Sequence, residues 1–325
     1  MNGPATTAAL TLSLTGPFAR QGTEAAEGVR LWAQQADVQL TLVDDGGSAA
    51  AAAQAYPRWV DSVDLLLGPY SSGLVRATAP LVCEGGRVLW NHGGSADDLA
   101  RPGVASLPAP ASSYFDRVLD EAASRRVDQL VVVRGPGRFA RAVADGATTG
   151  ASKRGLPIRT VDATAVDLHD GERTAVLVVG RFDHDVAVVR QLRGRRHAPT
   201  LVAAVAAGIP AFGQELGHAA EGVLGPVQWW PTARAPEIGP SGAEFGNCFR
   251  QRTGAEPSYV AAQAAAAGYL AHAAHRLGLA AADLVQWATS TLLGDFALDA
   301  AWRQIGHRST TVRWLDGRMV PIAPT

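Results

Sequence analysis

The chain has 325 residues, 47% of them hydrophobic and 18% charged, and a formal net charge of −1. That is longer than one ordinary domain, too apolar for a disordered chain, and too nearly neutral to draw nucleic acid or an anionic membrane. Lys153 is the only lysine and no Gly-Lys-Ser/Thr run exists, which argues against a Walker-type phosphate site. In chain order, Leu10, Leu12 and Leu14 alternate with threonine and serine, the period of a strand. Ala25, Val29, Trp32, Ala33 and Ala36 follow at helical spacing. Residues 38–43 then predict a strand, 49–60 a helix, 64–68 a buried strand, 74–83 a helix and 87–90 a short strand. This is βαβα alternation, the pattern of a parallel sheet with helices on both faces.

Residues 106–113, with two prolines, interrupt the pattern and read as a crossover. Alternation restarts with helix 114–125, strand 129–133, helix 139–152, strands 158–161 and 175–179, helix 186–193, and strands 201–204 and 223–228. A second break, 231–240, holds three prolines; helices are expected at 243–252, 259–277 and 281–292, then a β-like tail at 310–322. The last helical part has too few strands for a domain of its own. The expected fold class is therefore α/β: two doubly wound parallel-sheet lobes joined by a multi-strand hinge, with a cleft between them. Residues 1–107 with 231–300 would form the N-terminal lobe, and 108–230 with 301–325 the C-terminal lobe.

Cys83 and Cys248 are too few for a disulfide framework or a four-ligand zinc site, and each falls in a helix-like segment. Residues 1–9 have neither the basic cluster nor the apolar run of a secretory signal, and no stretch approaches a membrane span. The expectation is a cytoplasmic protein or the mature part of an exported one. No Gly-x-Ser-x-Gly, His-Glu-x-x-His or Gly-x-Gly-x-x-Gly motif is present, so an enzyme is not expected, nor a metal or cofactor. Asp183-His184-Asp185 is the densest titratable group; its expected role is an N-capping aspartate with solvated neighbours. The basic cluster Arg193, Arg195, Arg196 and His197 lacks interleaved aromatics and reads as a solvated loop.

The informative segments are two turns, Gly68-Pro69-Tyr70-Ser71-Ser72-Gly73 and Asn91-His92-Gly93-Gly94-Ser95, each after a strand and before an expected helix. Free backbone N–H groups at a helix start, with serine hydroxyls beside them, hold a carboxylate or amide oxygen without a buried counter-charge. Glycine at 93 and 94 lets the backbone approach closely. The competing reading makes Ser72 and Ser95 ordinary helix caps.

Leu14-Thr15-Gly16-Pro17-Phe18-Ala19 with Gly22 and Gly28, the run Leu67–Gly73, Gly93-Gly94-Ser95, Ala220-Glu221-Gly222-Val223 and Pro257-Ser258-Tyr259-Val260 together resemble the branched-chain amino acid-binding proteins of ABC importers, type I periplasmic binding proteins. The resemblance implies that the residues matching Ser72, Gly93 and Ser95 hold a substrate carboxylate. Tyr70, Ser71, His92 and Gly94 lie in the same loops, Gln21 flanks the ligand side chain, and Tyr259 forms an aromatic wall. The second lobe departs from the family: Val205 stands where an acid would meet the ligand ammonium. Gly135-Pro136-Gly137 replaces one tyrosine, and Arg181 and Phe182 fall near another. A buried ammonium without a counter-charge is costly, so a standard amino acid fits poorly unless Asp183 or Asp185 supplies one; Arg181 turned inward would favour a second anionic group. Trp229 and Trp230 are open to hinge packing or ligand stacking.

The resulting expectation is a solute receptor that binds a small amino acid or related carboxylate or amide and delivers it to an ABC transporter permease, outside the cytoplasm if a signal sequence precedes the chain. The alternative is a cytoplasmic sensor of the same fold, of the amide-responsive type, acting through a protein partner. A homodimer is left open.

Overall fold

A computed structural model describes residues 5–162 and 172–322, so residues 1–4 of the segment read for a secretory signal lie outside it. The chain divides into two compact units, Met1–Ala109 with Trp229–Arg308, and Pro110–Gln228 with Ser309–Thr325. It passes from one to the other three times.

The first unit opens with strands β1 (Thr7–Leu12), β2 (Gln39–Asp44), β3 (Leu65–Leu67), β4 (Leu89–Asn91) and β5 (Val104–Ser106), all parallel, in the order β2-β1-β3-β4-β5. Helices α1 (Ala19–Gln35), α2 (Ala49–Ala55) and α3 (Ser72–Cys83) connect them. The two-residue side-chain period of a strand splits the core by face. Leu10 and Leu12 pack with Trp32 of α1, while Ala9 packs with Leu66, Leu89 and Val75 of α3 on the other side. Two expectations differ here. Helix 49–60 stops at Ala55 because Pro57 lacks the N–H to continue it, leaving one turn of 3-10 helix at Tyr56–Arg58. The stretch read as a crossover from residue 106 is preceded by a strand, β5.

The second unit contains α4 (Asp116–Ser124), β6 (Gln129–Arg134), α5 (Arg138–Lys153), β7 (Ile158–Val161), β8 (Thr174–Val179), α6 (Phe182–Arg193), β9 (Leu201–Ala204), α7 (Pro210–Leu216) and β10 (Leu224–Val227). Strands β7, β6, β8, β9 and β10 run parallel. The same alternation sorts the faces here: Leu130, Val132 and Leu177 face α4 and α5, and Val131, Val133, Val176 and Val178 face α6 and α7. Helix α7 was not read from the sequence.

The chain then returns to the first unit as α8 (Gly242–Thr253) and α9 (Tyr259–Arg276). Helix α9 lies against α1 so closely that a Cβ at Gly28 would overlap the Ala261 carbonyl, and its alanines are buried from Ala261 to Ala267. Residues 281–292 are not a helix. One 3-10 turn (Ala281–Val285) is followed by a hairpin of β11 (Thr289–Thr291) and β12 (Gly294–Phe296), because β-branched threonines favour the strand and Gly294 sits at φ +124°. Finally β13 (Thr310–Leu315) and β14 (Arg318–Pro321) join the second sheet antiparallel, beside β10. Residues 301–308, placed by the sequence reading with the C-terminal lobe, belong to the first unit. Cys83 and Cys248 are both half-buried and unpaired.

Candidate functional site

The carboxyl ends of β3 and β4 in the first unit carry the two informative loops, and one buried side chain binds them together. Asn91, with 0% exposure, ends β4. Its Oδ1 accepts from Gly94 N at 2.8 Å and Gly93 N at 3.2 Å, and its Nδ2 donates to Gly94 O at 2.7 Å and Ser106 Oγ at 2.9 Å. The N–H groups of Gly93 and Gly94 are therefore engaged within their own loop. The two glycines also contribute closeness: a Cβ at Gly93 would lie 2.6 Å from Tyr70 Cα, and one at Gly94 3.2 Å from Ser72 Cα. Across this seam Ala96 N donates to Ser72 Oγ at 3.1 Å.

The cap of α3 is Ser71, not Ser72. Its backbone sits at φ +93°, unusual for a residue with a side chain, and its Oγ accepts from Leu74 N at 3.4 Å. Ser95 is no α-helix cap either, since only a 3-10 turn, Asp97–Leu99, follows it, capped by Ala96. With the capping roles filled elsewhere, the N–H groups of Ser72 and Gly73, the Ser72 hydroxyl proton and the Ser95 hydroxyl make no hydrogen bond among the described residues. Four neutral donors therefore lie in one small region at the start of a twelve-residue helix.

Around them stand aromatic and buried groups. The Tyr70 and Tyr259 hydroxyls are 3.0 Å apart, and Phe18 meets Tyr70 edge-on with centroids 6.3 Å apart. Tyr259 is the first residue of α9, capped by Ser258, whose Oγ accepts from Val260 N at 3.2 Å. Its ring is half-buried but its hydroxyl is enclosed; burial, and then the Tyr70 hydroxyl, push its pKa well above the usual tyrosine value. Gln21, half-buried on α1, has no hydrogen-bond partner among the described residues. His92 is 1% exposed, and neither ring nitrogen has a partner of good geometry. Burial lowers its pKa to about 4, which the neighbouring Gly68 backbone only partly opposes, so the ring is neutral at physiological pH.

The second unit presents different chemistry at the carboxyl ends of its strands. Arg181, exposed and unpaired among the described residues, precedes α6, and Phe182 is half-buried against the core. Asp185 is not a solvated neighbour: it has 0% exposure. Its Oδ2 accepts from Ala206 N at 3.0 Å and its Oδ1 lies 3.2 Å from His184 Nδ1, tying the first turn of α6 to the turn after β9. Burial raises its pKa, while His184 and the amides of Ala206 and Gly180 oppose the rise. Asp185 thus has its oxygens engaged, and Val205, where an acid was sought, is half-buried and apolar. Trp229, the first residue of the returning chain, packs into the first unit: its Nε1 donates to Leu292 O at 3.0 Å and its ring meets Phe245 edge-on.

Asn91 and Asp185 are the residues that sequence reasoning missed as organisers. The only trace was position, one at a strand end and one in the first turn of a helix.

A family model described as periplasmic binding protein matches residues 6–317. Among solved structures, the chain is similar to a leucine-binding protein of Thermotoga maritima (17% identity, 98% of each chain covered, TM-score 0.79). It is similar also to a branched-chain amino acid transporter substrate-binding protein of Streptococcus pneumoniae in complex with isoleucine (16% identity, 98% of this chain and 100% of that one, TM-score 0.78). A third is an ABC transporter solute-binding protein of R. palustris in complex with benzoate (15% identity, 98% and 95% covered, TM-score 0.73). A search of curated proteins found no match.

Proposed function

The chain belongs to the periplasmic binding protein family, a family of binders rather than enzymes, and from that premise we propose that it is the solute receptor of an ABC-type importer, working outside the cytoplasm. Its ligand is a small amino acid or a related carboxylate or amide. The solute docks on the loops after β3 and β4 of the first unit. Ser72, Gly73 and Ser95 hold the oxygen-bearing group. Gly93 and Gly94 keep the two loops close, while Tyr70, Tyr259 and Gln21 flank the rest of the solute.

The observation that carries this reading is the set of unpaired neutral donors left when Ser71 caps α3 and Asn91 fastens the β4 loop. Such donors stabilise an anion through oriented dipoles that need no reorganisation on binding. The relatives with leucine, isoleucine and benzoate in their descriptions share a carboxylate and little else, which agrees with an anchor for that group.

A thermal-shift screen of amino acids, amides and simple carboxylic acids tests it, because a ligand at 100 times its Kd stabilises by about 2.7 kcal/mol. Binding should vanish in Ser72→Ala combined with Ser95→Ala, with the unliganded melting temperature little changed. A full ligand shift in that double variant refutes the anchor.

A further inference from the structure

One ion pair in the first unit lies across the seam between the two anchor loops. Arg76, one turn after Ser72 on α3, donates from Nε to Asp98 Oδ2 at 2.9 Å and from Nη2 to Asp98 Oδ1 at 2.7 Å. Its Nη1 donates to the Ser72 carbonyl at 3.3 Å. All three guanidinium nitrogens are thus engaged between the start of α3 and the turn that follows Ser95. The two side chains are 31% and 52% exposed, and an ion pair so open to water adds little to folding. It does fix direction, because the planar guanidinium meets both carboxylate oxygens at once.

Asp98 is firmly joined to the anchor. Leu99 N donates to Ala96 O at 3.1 Å, which closes the turn around Asp98, and Ala96 N donates to Ser72 Oγ at 3.1 Å. Ser95 immediately precedes Ala96. The path therefore runs from Arg76 through Asp98 and Ala96 to Ser72 Oγ, and returns through the Ser72 carbonyl to Arg76, a closed ring of contacts. Ala96 and Leu99 also pack in one cluster with Val75 and Ala79 of α3. Those apolar contacts hold the turn against the helix but are non-directional, whereas the fork is directional.

We infer that Arg76 is a positioning residue of the anchor, acting through Asp98 to align the Ser72 and Ser95 hydroxyls on one oxygen-bearing group. This rests on the anchor proposed above and concerns the first unit alone. Arg76 needs no contact with the solute, which separates its role from a simple effect of charge. A guanidinium acting by charge would favour carboxylates over amides, and Asp98→Asn, by freeing it, would tighten carboxylate binding. A guanidinium acting as a clamp serves carboxylate and amide alike, and Asp98→Asn weakens both.

Two measurements on the full chain test this. Titration calorimetry with leucine, benzoate and their amides, leucinamide and benzamide, compares wild type with Arg76→Met, Asp98→Asn and the double variant. Each single change should weaken every probe that binds by about fivefold to tenfold, and the double variant should be no weaker than the worse single, because the two residues act as one unit. Arg76→Lys should recover part of the loss. Hydrogen exchange at the Ala96 amide of the unliganded chain should quicken at least about tenfold in Arg76→Met, with the melting temperature within about 2 °C of wild type. Losses that add in the double variant, a loss in carboxylates while the amides bind unchanged, or tighter carboxylate binding in Asp98→Asn overturns the clamp. So does an Ala96 amide equally protected in both chains. Undiminished binding in Arg76→Met ends the role of Arg76 and leaves the anchor standing; a wild-type chain that binds none of the four probes removes the anchor and this role together.

Discussion

In the first unit, two loops at the end of a parallel sheet are fastened by Asn91, a neutral amide that is donor and acceptor at once. In the second, the first turn of α6 and the turn after β9, at the carboxyl ends of parallel strands, are fastened by Asp185, an acid that can only accept while ionised. Both side chains are wholly enclosed. The neutral clasp satisfies its own polar atoms and leaves a surface of unpaired dipoles. The acidic clasp engages a histidine, and its own burial is opposed by the cost of desolvating a carboxylate. The same architecture is thus fastened by a neutral side chain in one unit and by an acidic one in the other.

The largest expected effect comes from breaking the neutral clasp. Asn91→Ala strands the buried Gly94 N–H and carbonyl at once and should cost about 3–4 kcal/mol of stability, measured by denaturant unfolding, with loss of carboxylate binding. A cost near zero would mean that Asn91 fastens nothing. Next is the buried imidazole beside it. His92 titrates at about 4 in the folded chain against 6.5 when free, so below pH 6.5 the unfolded chain binds a proton that the folded chain refuses. Stability is therefore full above about pH 6.5 and falls as the pH drops toward 4, by up to about 3 kcal/mol. His92→Gln should flatten that part of the pH profile; an unchanged slope would assign it to other groups. The smallest effect is expected from Asp185→Asn. It keeps an acceptor for the Ala206 amide and removes a buried charge, so at pH 7 stability should change by less than about 1 kcal/mol. A loss comparable to that of Asn91→Ala would erase the contrast between the clasps.

The α/β order and the position of both first-unit loops were legible because they rest on local chemistry. Strand alternation, Pro69 and the glycines at 68, 73, 93 and 94 are signals of turn geometry that act over a few residues. What escaped reading depends on partners far along the chain. Nothing near Asn91 announces that its amide will span to Ser106, and nothing near Asp185 announces the Ala206 amide. The occupancy of the Gly93 and Gly94 N–H groups is hidden for the same reason, since it is set by a side chain rather than by the loop. Residues 281–292 were read as a helix, whereas Thr-Ser-Thr at 289–291 pairs as a strand with 294–296, a contact made only once the chain turns back. The three-residue strand β5 is too short to show a period at all.

The contact between α1 and α9 has a consequence for synthesis. Glycine at 28 meets a carbonyl at 261, so one side of the first core cannot be sealed until more than two hundred later residues have left the ribosome. The second unit, nearly contiguous from Pro110 to Gln228, has most of its partners much earlier. Nascent chains should therefore carry a finished middle and an unfinished beginning, with the apolar face of β1 and α1 open to chaperones until α9 arrives.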